Sequence, residues 1–344
     1  MTHRHFGLWV AVGCLLGLFS LGLYSQDAAQ PYGVAAKRPV IGGACANCPW
    51  GALADKVKAA MAPLGYDVQV CYVCSGDDST RIVAERRTPQ ARPGNPRPPA
   101  APVDFGVTAI DFLTDAYHGI GLYKNDPPKP RLRLLARIED PNYWLIATRR
   151  EAFITDLRQI RERHLPARII VDHTEKSQDV LRYYGITRED LESWGGEFMA
   201  DNSPERVKAD VILHFGTINN TPESNLWYEI SQKSDLRFLQ LPDDLLADLA
   251  KRYDWEIGDA PLGLLRGIDR PIKSLRSSGT VIYGRDDLPD QFAYDVARAM
   301  DEGKHLLIWS ILPFSLDPGT VWRARDVPVH SGAAKYYREK GYMK

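Results

Sequence analysis

The apolar and polar positions between Arg38 and Ser79 predict a strand, a helix and a second strand. Val40 and Ile41 form a short apolar run that ends at the glycine pair 42–43. A helix with one apolar face follows, because these residues recur at helical spacing: Leu53, Val57, Ala60, Met61 and Leu64. Gly65 ends the helix, and residues 68–73 form a β-branched second strand. Two strands joined in this way should be parallel neighbours whose ends open on one sheet edge, where open α/β sheets bind ligands.

The same alternation of strands and helices continues along the chain. Residues 104–111 read as a strand running into a helix, and residues 168–171 and 209–216 read as further strands. We therefore expect an α/β fold with mainly parallel sheets covered on both faces. Residues 88–103 are the exception, because six prolines there favour an extended surface loop. With 344 residues, the chain is long enough for two lobes with separate cores.

The beginning of the chain predicts export. Residues 2–5 are potentially positive, and residues 6–24 carry no charge. This is the pattern of a secretory signal, and the apolar run is also about long enough to span a bilayer. We expect residues 1–29 to be a signal peptide or an N-terminal membrane anchor. The rest of the protein would then be released outside the cytoplasm or tethered to the membrane.

Four of the five cysteines form two C-x-x-C pairs, and each pair lies in a loop at a predicted strand end: Cys45, Cys48, Cys71 and Cys74. Four thiolates at this spacing suit tetrahedral zinc or an iron–sulfur centre, and a C-x-x-C pair can also be redox-active. An exported protein meets an oxidising compartment, so we favour two disulfides and expect neither metal nor cofactor. The pairing stays open, because four cysteines allow three connectivities.

Catalytic motifs are missing from the sequence. There is no Walker loop, no G-x-S-x-G elbow and no H-E-x-x-H, and the eight histidines are scattered. The net charge of −1 gives no argument for a nucleic-acid partner. We therefore predict a protein that is not an enzyme and does not bind nucleic acid.

Three parts of the chain carry a resemblance to a known family. Residues 39–43 and 50–54 resemble the strand, Gly-rich loop and Leu-Ala helix start of the TAXI-type solute receptors of TRAP transporters. Residues 75–79 partly match the Ser/Thr-Gly-Gly-Ser loop of that family. The ending PVHSGAAKYYREKG, residues 328–341, is the more specific match. The resemblance covers the chain from about Arg38 to its end, although the cysteines depart from the family's Gly-rich loop.

This resemblance implies a two-lobed periplasmic-binding-protein type II fold with a ligand cleft between the lobes. Lobe 1 would hold residues 38–136 plus 280–344, and lobe 2 residues 137–279. The implied function is capture of a small solute by hinge closure and its delivery to the membrane subunits of a TRAP transporter. The implied location is the periplasm, either free or tethered to the inner membrane. The alternatives are an exported cysteine-based redox or metal-binding protein, and a ligand sensor on the same fold.

Loops from both lobes should converge on the ligand. The candidate ligand-binding residues are Asn47, Trp50, Ser75, Asp77, Thr108, Asp111, His173, Thr174, Lys176, Thr217, Asn219 and Asn220. Their hydroxyls, amides and helix N-termini suit a carboxylate, and the acidic residues suit the cationic end of an amino acid. Local structural roles are open for several of them. Asp111 fits a helix N-cap, Asp172 with Glu175 fits a capping box, and Trp50 fits a packed core position.

Overall fold

The computed structural model describes residues 32–344 apart from 47, 75–77, 92, 94–95, 140–141, 173, 218–225, 278 and 309–314. The strands within these ranges are β1 (Val40–Gly42), β2 (Gln69–Val70), β3 (Phe105–Ala109), β4 (Leu132–Ile138), β5 (Asn142–Arg149), β6 (Arg168–Val171), β7 (Glu197–Met199), β8 (Val211–Thr217), β9 (Leu236–Leu239), β10 (Glu256–Ala260), β11 (Ile272–Arg276) and β12 (Thr280–Arg285).

The helices alternate with these strands, as the sequence predicts. They are α1 (Pro49–Met61), α2 (Asp78–Glu85), α3 (Ile110–His118), α4 (Arg158–Glu162), α5 (Glu175–Tyr183), α6 (Arg188–Ser193), α7 (Leu226–Lys233), α8 (Asp243–Tyr253), α9 (Asp290–Glu302), α10 (His305–Ile308) and α11 (Ser331–Glu339). In the described part of the chain, no helix is both long and apolar enough to cross a membrane. The predicted signal or anchor, residues 1–29, lies outside the described residues.

The strands form two sheets that repeat one topology. The first sheet has the order β2-β1-β3-β12-β4. In the second sheet, the same five places are taken by β7, β6, β8, β5 and β9, in that order. Strand β11 also pairs with the first residues of β5, and β10 pairs with β11. In both sheets the first three strands are parallel, and the strand inserted next to them is antiparallel. The expectation of mainly parallel sheets is therefore wrong, because each sheet takes an antiparallel strand that enters from the other lobe.

The chain passes between the two sheets twice, from β4 to β5 and from β11 to β12. Each sheet and its helices form one α/β lobe: lobe 1 around β1–β4 and β12, and lobe 2 around β5–β11. Two α/β lobes of this topology, joined by two adjacent crossings, make up the periplasmic-binding-protein type II fold that the family resemblance implies.

Both faces of each sheet are covered by apolar side chains. In β12, Ile282 packs into one apolar cluster of lobe 1, whereas Val281 and Tyr283 pack into the other. In β5, Trp144 and Leu145 likewise point to opposite clusters of lobe 2. Because side chains alternate along a strand, a strand that is buried on both faces reads as one continuous apolar run.

Helix ends follow local chemistry that can be read from the sequence. Pro49 occupies the first position of α1, where its missing N–H costs nothing. Gly65, at a φ of 83°, ends the short 3-10 turn that follows this helix. The final helix begins at Ser331, as predicted, and Gly332 lets it approach α9 closely. A Cβ atom at that position would lie 1.9 Å from the carbonyl oxygen of Asp290.

Candidate functional site

Two disulfide pairs lie at the edge of lobe 1 where β1 and β2 end. The structure pairs Cys45 with Cys48 and Cys71 with Cys74, with Cα–Cα distances of 5.5 and 5.6 Å. These distances fall in the usual disulfide range. Among the described residues, no group of three or more His, Cys, Asp or Glu side chains is arranged to hold a metal ion.

The two cysteine loops are held tightly together. Cys45 forms a β-bridge with Val73, and the N–H of Gly43 donates to the carbonyl of Cys74 over 3.1 Å. Gly43 has a φ of 83°, and a Cβ atom there would lie 1.8 Å from the carbonyl oxygen of Val107. A residue with a side chain would therefore push β1 away from β3 at this edge.

Asp111, in the first turn of α3, connects the two lobes. Its Oδ2 accepts a 2.9 Å hydrogen bond from Nε1 of Trp255 in lobe 2, and its Oδ1 lies 2.5 Å from the guanidinium of Arg325 in lobe 1. Arg325 in turn pairs with Asp254 of lobe 2 at 2.6 Å. The N-cap of α3 is Ala109, which makes no side-chain cap hydrogen bond, so the interpretation of Asp111 as the N-cap is wrong.

Lys176 faces the same group of residues from lobe 2. Its ammonium lies 4.7 Å from the ring centre of Tyr253 and 4.5 Å from that of Trp255. Burial lowers the pKa of Lys176, and the carboxylates of Asp111 and Asp172 partly offset this shift. Aromatic faces and distant carboxylates stabilise the cation, but Lys176 makes no ion pair within the described residues.

Asp115, one turn after Asp111 on α3, adds a second carboxylate to this region. Burial raises the pKa of Asp115, and the neighbouring charge of Asp111 raises it further, while Arg325 opposes the shift. We call Asp111, Asp115, Lys176, Trp255 and Arg325 the interlobe cluster. Its charges come from both lobes, and its members are distant in the sequence apart from Asp111 and Asp115.

The loop after β6 is fixed by Asp172 rather than by a capping box. The carboxylate of Asp172 accepts hydrogen bonds from the N–H of Thr174 at 3.0 Å, the hydroxyl of Ser177 at 2.6 Å and Nε1 of Trp144 at 3.2 Å. Thr174 is the N-cap of α5, and its hydroxyl accepts from the N–H of Ser177. The interpretation of Asp172 as a cap paired with Glu175 is therefore wrong.

Trp50 and Thr108 occupy more enclosed positions. Trp50 is half-buried in α1, packs against the core of lobe 1 and meets Phe112 edge-on at 6.0 Å. Thr108 in β3 is fully buried, and its hydroxyl has no partner among the described residues.

The remaining predicted ligand residues fall largely outside the described residues: Asn47, Ser75, Asp77, His173, Asn219 and Asn220. The backbone of Thr217 ends β8. Of the predicted set, the structure brings Asp111 and Lys176 into one cluster. Sequence reasoning missed Arg325, Trp255 and Asp115. No local motif marks Arg325 and Trp255, because only the folded chain brings them next to Asp111. Asp115 lies one helical turn after Asp111 and could have been found from that spacing.

Glu139 ties the two crossings together at the hinge. Its carboxylate lies 3.0 Å from Nε of Arg137 at the end of β4 and 2.8 Å from the guanidinium of Arg276 at the end of β11. The hydroxyl of Thr320 donates to the same carboxylate over 2.7 Å. Because the Glu139 side chain is 12% exposed, these ion pairs are partly shielded from water.

The solved structures that align with this chain are distant from it in sequence. A TctC solute binding protein from Polaromonas is 10% identical, with a TM-score of 0.43 and coverage of 81% of this chain and 90% of that one. MatC from Rhodopseudomonas palustris, solved with bound malate, is 12% identical, with a TM-score of 0.40 and coverage of 79% and 86%. The aliphatic sulphonate binding protein SsuA from Escherichia coli is 8% identical, with a TM-score of 0.39 and coverage of 88% and 89%.

A comparison with protein families matches most of the described chain. The profile of the NMT1-like family aligns with residues 100–341. This stretch runs from just before β3, through all of lobe 2, to the end of α11, and it includes Asp111, Lys176, Trp255 and Arg325. The chain belongs to the NMT1-like family.

Proposed function

We propose that the protein is an extracytoplasmic solute-binding receptor that captures a small carboxylate or an amino acid when its lobes close. The observation that carries this proposal is the interlobe cluster. Lobe 1 contributes Asp111 and Arg325, lobe 2 contributes Lys176 and Trp255, and hydrogen bonds and ion pairs join the two sides. A receptor that closes by a hinge motion needs binding residues on both lobes, because a ligand that contacts both lobes favours the closed state.

The charges of the cluster suit a ligand that carries both signs. A ligand carboxylate would replace the Asp111 carboxylate on Arg325 and draw Lys176 towards it, since guanidinium and ammonium groups both bind carboxylates well. A ligand ammonium would pair with Asp111 and Asp115. Trp255 and Tyr253 would cover the apolar part. An amino acid can supply the carboxylate, the ammonium and the apolar part. A small organic acid supplies the carboxylate.

The proposed site extends to the loops predicted from the sequence. Asn47, Ser75, Asp77 and Thr108 would complete the lobe 1 side, and His173, Thr174, Thr217, Asn219 and Asn220 the lobe 2 side. Capture by these residues involves no bond breaking, so the proposed activity is binding and release without catalysis.

The membrane subunits of a TRAP transporter are the proposed partner. The support for this choice is the C-terminal motif, residues 328–341, which resembles that of TAXI-type receptors. The proposed location, the periplasm, rests on the uncharged run at residues 6–24 and on the paired cysteines. Copurification of the protein with TRAP membrane subunits, with a shift in affinity on adding ligand, would test this partner.

A calorimetric screen of amino acids and small carboxylates tests the binding function. We expect at least one such ligand to bind the wild-type protein, and Arg325→Gln and Lys176→Gln each to weaken it by about tenfold or more, as loss of a charge-assisted hydrogen bond requires. Thr217→Ala and Asn219→Ala should weaken it too. Arg188→Gln is the matched control, since Arg188 pairs with Glu192 on the surface of α6. A broad screen without a ligand, or cleft variants that bind as wild type does, would refute the proposal.

A further inference from the structure

Lobe 2 contains a cavity that is separate from the interlobe cluster. Its volume is about 340 Å³, and every residue that lines it belongs to lobe 2. Its walls are the stretch between β5 and α4, strand β9 with the turn after it, and the loop at residues 267–270. Sites for small molecules begin at about 300 Å³, so the cavity has room for a small organic ligand.

Arg237 brings an uncompensated charge to this cavity. Strand β9 pairs Arg237 with Thr148 of β5, and Leu239, two residues along on the same face, packs against the apolar core of lobe 2. The side chain of Arg237 is half-buried, and within the described part of the chain it has no ion pair and no hydrogen bond. A cation withdrawn from water without a counter-charge is unfavourable, so this position favours an anion from outside the chain.

The other arginines of the cavity differ from Arg237, because each has a carboxylate of its own. Arg158 pairs with Asp156 at 2.9 Å, Arg150 with Asp235 at 3.3 Å and Arg270 with Asp269 at 3.4 Å. Exposed ion pairs of this kind contribute little stability, but they do balance the charge at the rim. Among the described residues that line the cavity, one positive charge therefore has no carboxylate partner, and it lies on Arg237.

The rest of the lining combines apolar side chains with hydrogen-bonding groups. Ile146, Leu157 and Leu239 provide hydrocarbon, and Tyr184 and Gln240 add a hydroxyl and an amide. Burial raises the pKa of Tyr184 to about 12, so its phenol keeps its proton and remains a donor. This combination suits one acidic group attached to a compact apolar body.

We propose that this cavity is a second binding site, for a small organic monoanion whose carboxylate pairs with Arg237. The planar guanidinium offers two parallel N–H donors to the two carboxylate oxygens. The apolar part of the ligand lies against Leu157 and Leu239. The site does not depend on the solute-binding function proposed for the cleft.

Benzoate is the probe for this site, and benzamide is its uncharged match. Calorimetry should detect benzoate binding to the wild-type protein at millimolar concentration and no benzamide binding. Arg237→Gln should weaken benzoate binding by about tenfold or more. Arg188→Gln, which removes one arginine of lobe 2 outside the cavity, should leave benzoate affinity unchanged.

The unfolding temperature shows whether Arg237→Gln is folded, and a further variant, Lys176→Gln, distinguishes benzoate binding in the lobe 2 cavity from benzoate binding in the cleft. Arg237→Gln should unfold at the same or a higher temperature than wild type without ligand, because it removes an unpaired charge. Lys176→Gln should leave benzoate binding intact if the anion enters the lobe 2 cavity. Loss of benzoate binding in Lys176→Gln but not in Arg237→Gln would assign the anion to the cleft and overturn the proposal. No benzoate binding by the wild type would overturn it as well.

Discussion

Nε1 of Trp255 donates a 2.9 Å hydrogen bond to the carboxylate of Asp111, and this bond joins lobe 2 to lobe 1. Arg325 lies beside it and pairs with both Asp111 and Asp254. The protein's own residues thus hold the lobes together at the site that we propose for the solute. Under the proposed function, a ligand would compete with these contacts, so they would set part of its affinity.

Replacing Trp255 with Phe tests whether this hydrogen bond holds the lobes together. The variant keeps an aromatic ring near Lys176 but loses the donor to Asp111, so the closed state should lose about 1 kcal/mol. Fluorescence energy transfer between labels on the two lobes should shift towards longer distances. Trp194→Phe is the control, because Trp194 stacks on His164 within lobe 2. An unchanged distance distribution in Trp255→Phe would contradict the role of this bond.

The sequence predicts those parts of the fold that depend on local pattern. The unit from β1 through α1 to β2, the Pro-rich loop and the start of α11 all follow from apolar spacing, proline and glycine. The described residues of 88–103 contain neither helix nor strand, as predicted. Such features depend on neighbours along the chain, so the sequence carries them directly.

Long-range pairing accounts for what the sequence does not predict. The antiparallel insertion of β12 between β3 and β4 joins residues more than a hundred positions apart, and no periodicity encodes it. Asp111 shows the same limit within the site. Its position fits a cap, but its actual partners, Trp255 and Arg325, are brought near only by the folding of both lobes.

Glu139→Gln should destabilise the protein, because it breaks the charge contacts at the hinge. Arg137 and Arg276 would keep their charges in a partly buried place without the carboxylate between them. We expect a loss of about 2–3 kcal/mol in the free energy of unfolding, measured by urea denaturation. Glu192→Gln removes an exposed ion pair with Arg188 and should cost less than about 0.5 kcal/mol. Equal effects of the two variants would argue against a hinge role for Glu139.

The pH dependence of stability should reveal the environment of Lys176. Burial lowers its pKa in the folded state, so the unfolded chain binds this proton more tightly between the folded pKa and about 10.4. The contribution of Lys176 to the free energy of unfolding therefore rises with pH in that window, and the full cost of its charge is present below the folded pKa. Lys176→Met should be more stable than wild type near pH 7, with an advantage that shrinks as the pH approaches 10.

Lys251→Met provides the reference for this pH series, because Lys251 is exposed in the last turn of α8. It controls for the general effect of replacing a lysine by methionine on a helix surface. Urea unfolding at several pH values measures both variants. A constant difference for Lys176→Met would show that its charge is not disfavoured in the folded protein.

The cysteine pairing can be read from two tryptic peptides. Cleavage after Lys37, Lys56 and Lys58 places Cys45 and Cys48 in one peptide and Cys71 and Cys74 in another. Since the structure pairs cysteines within each loop, non-reducing mass spectrometry should find two separate peptides, each lighter by two hydrogen atoms than its reduced form. Each bridge closes a very short loop, so its reduction should cost only about 2 kcal/mol of stability. Peptides cross-linked to each other, or thiols that react with iodoacetamide before reduction, would contradict this pairing.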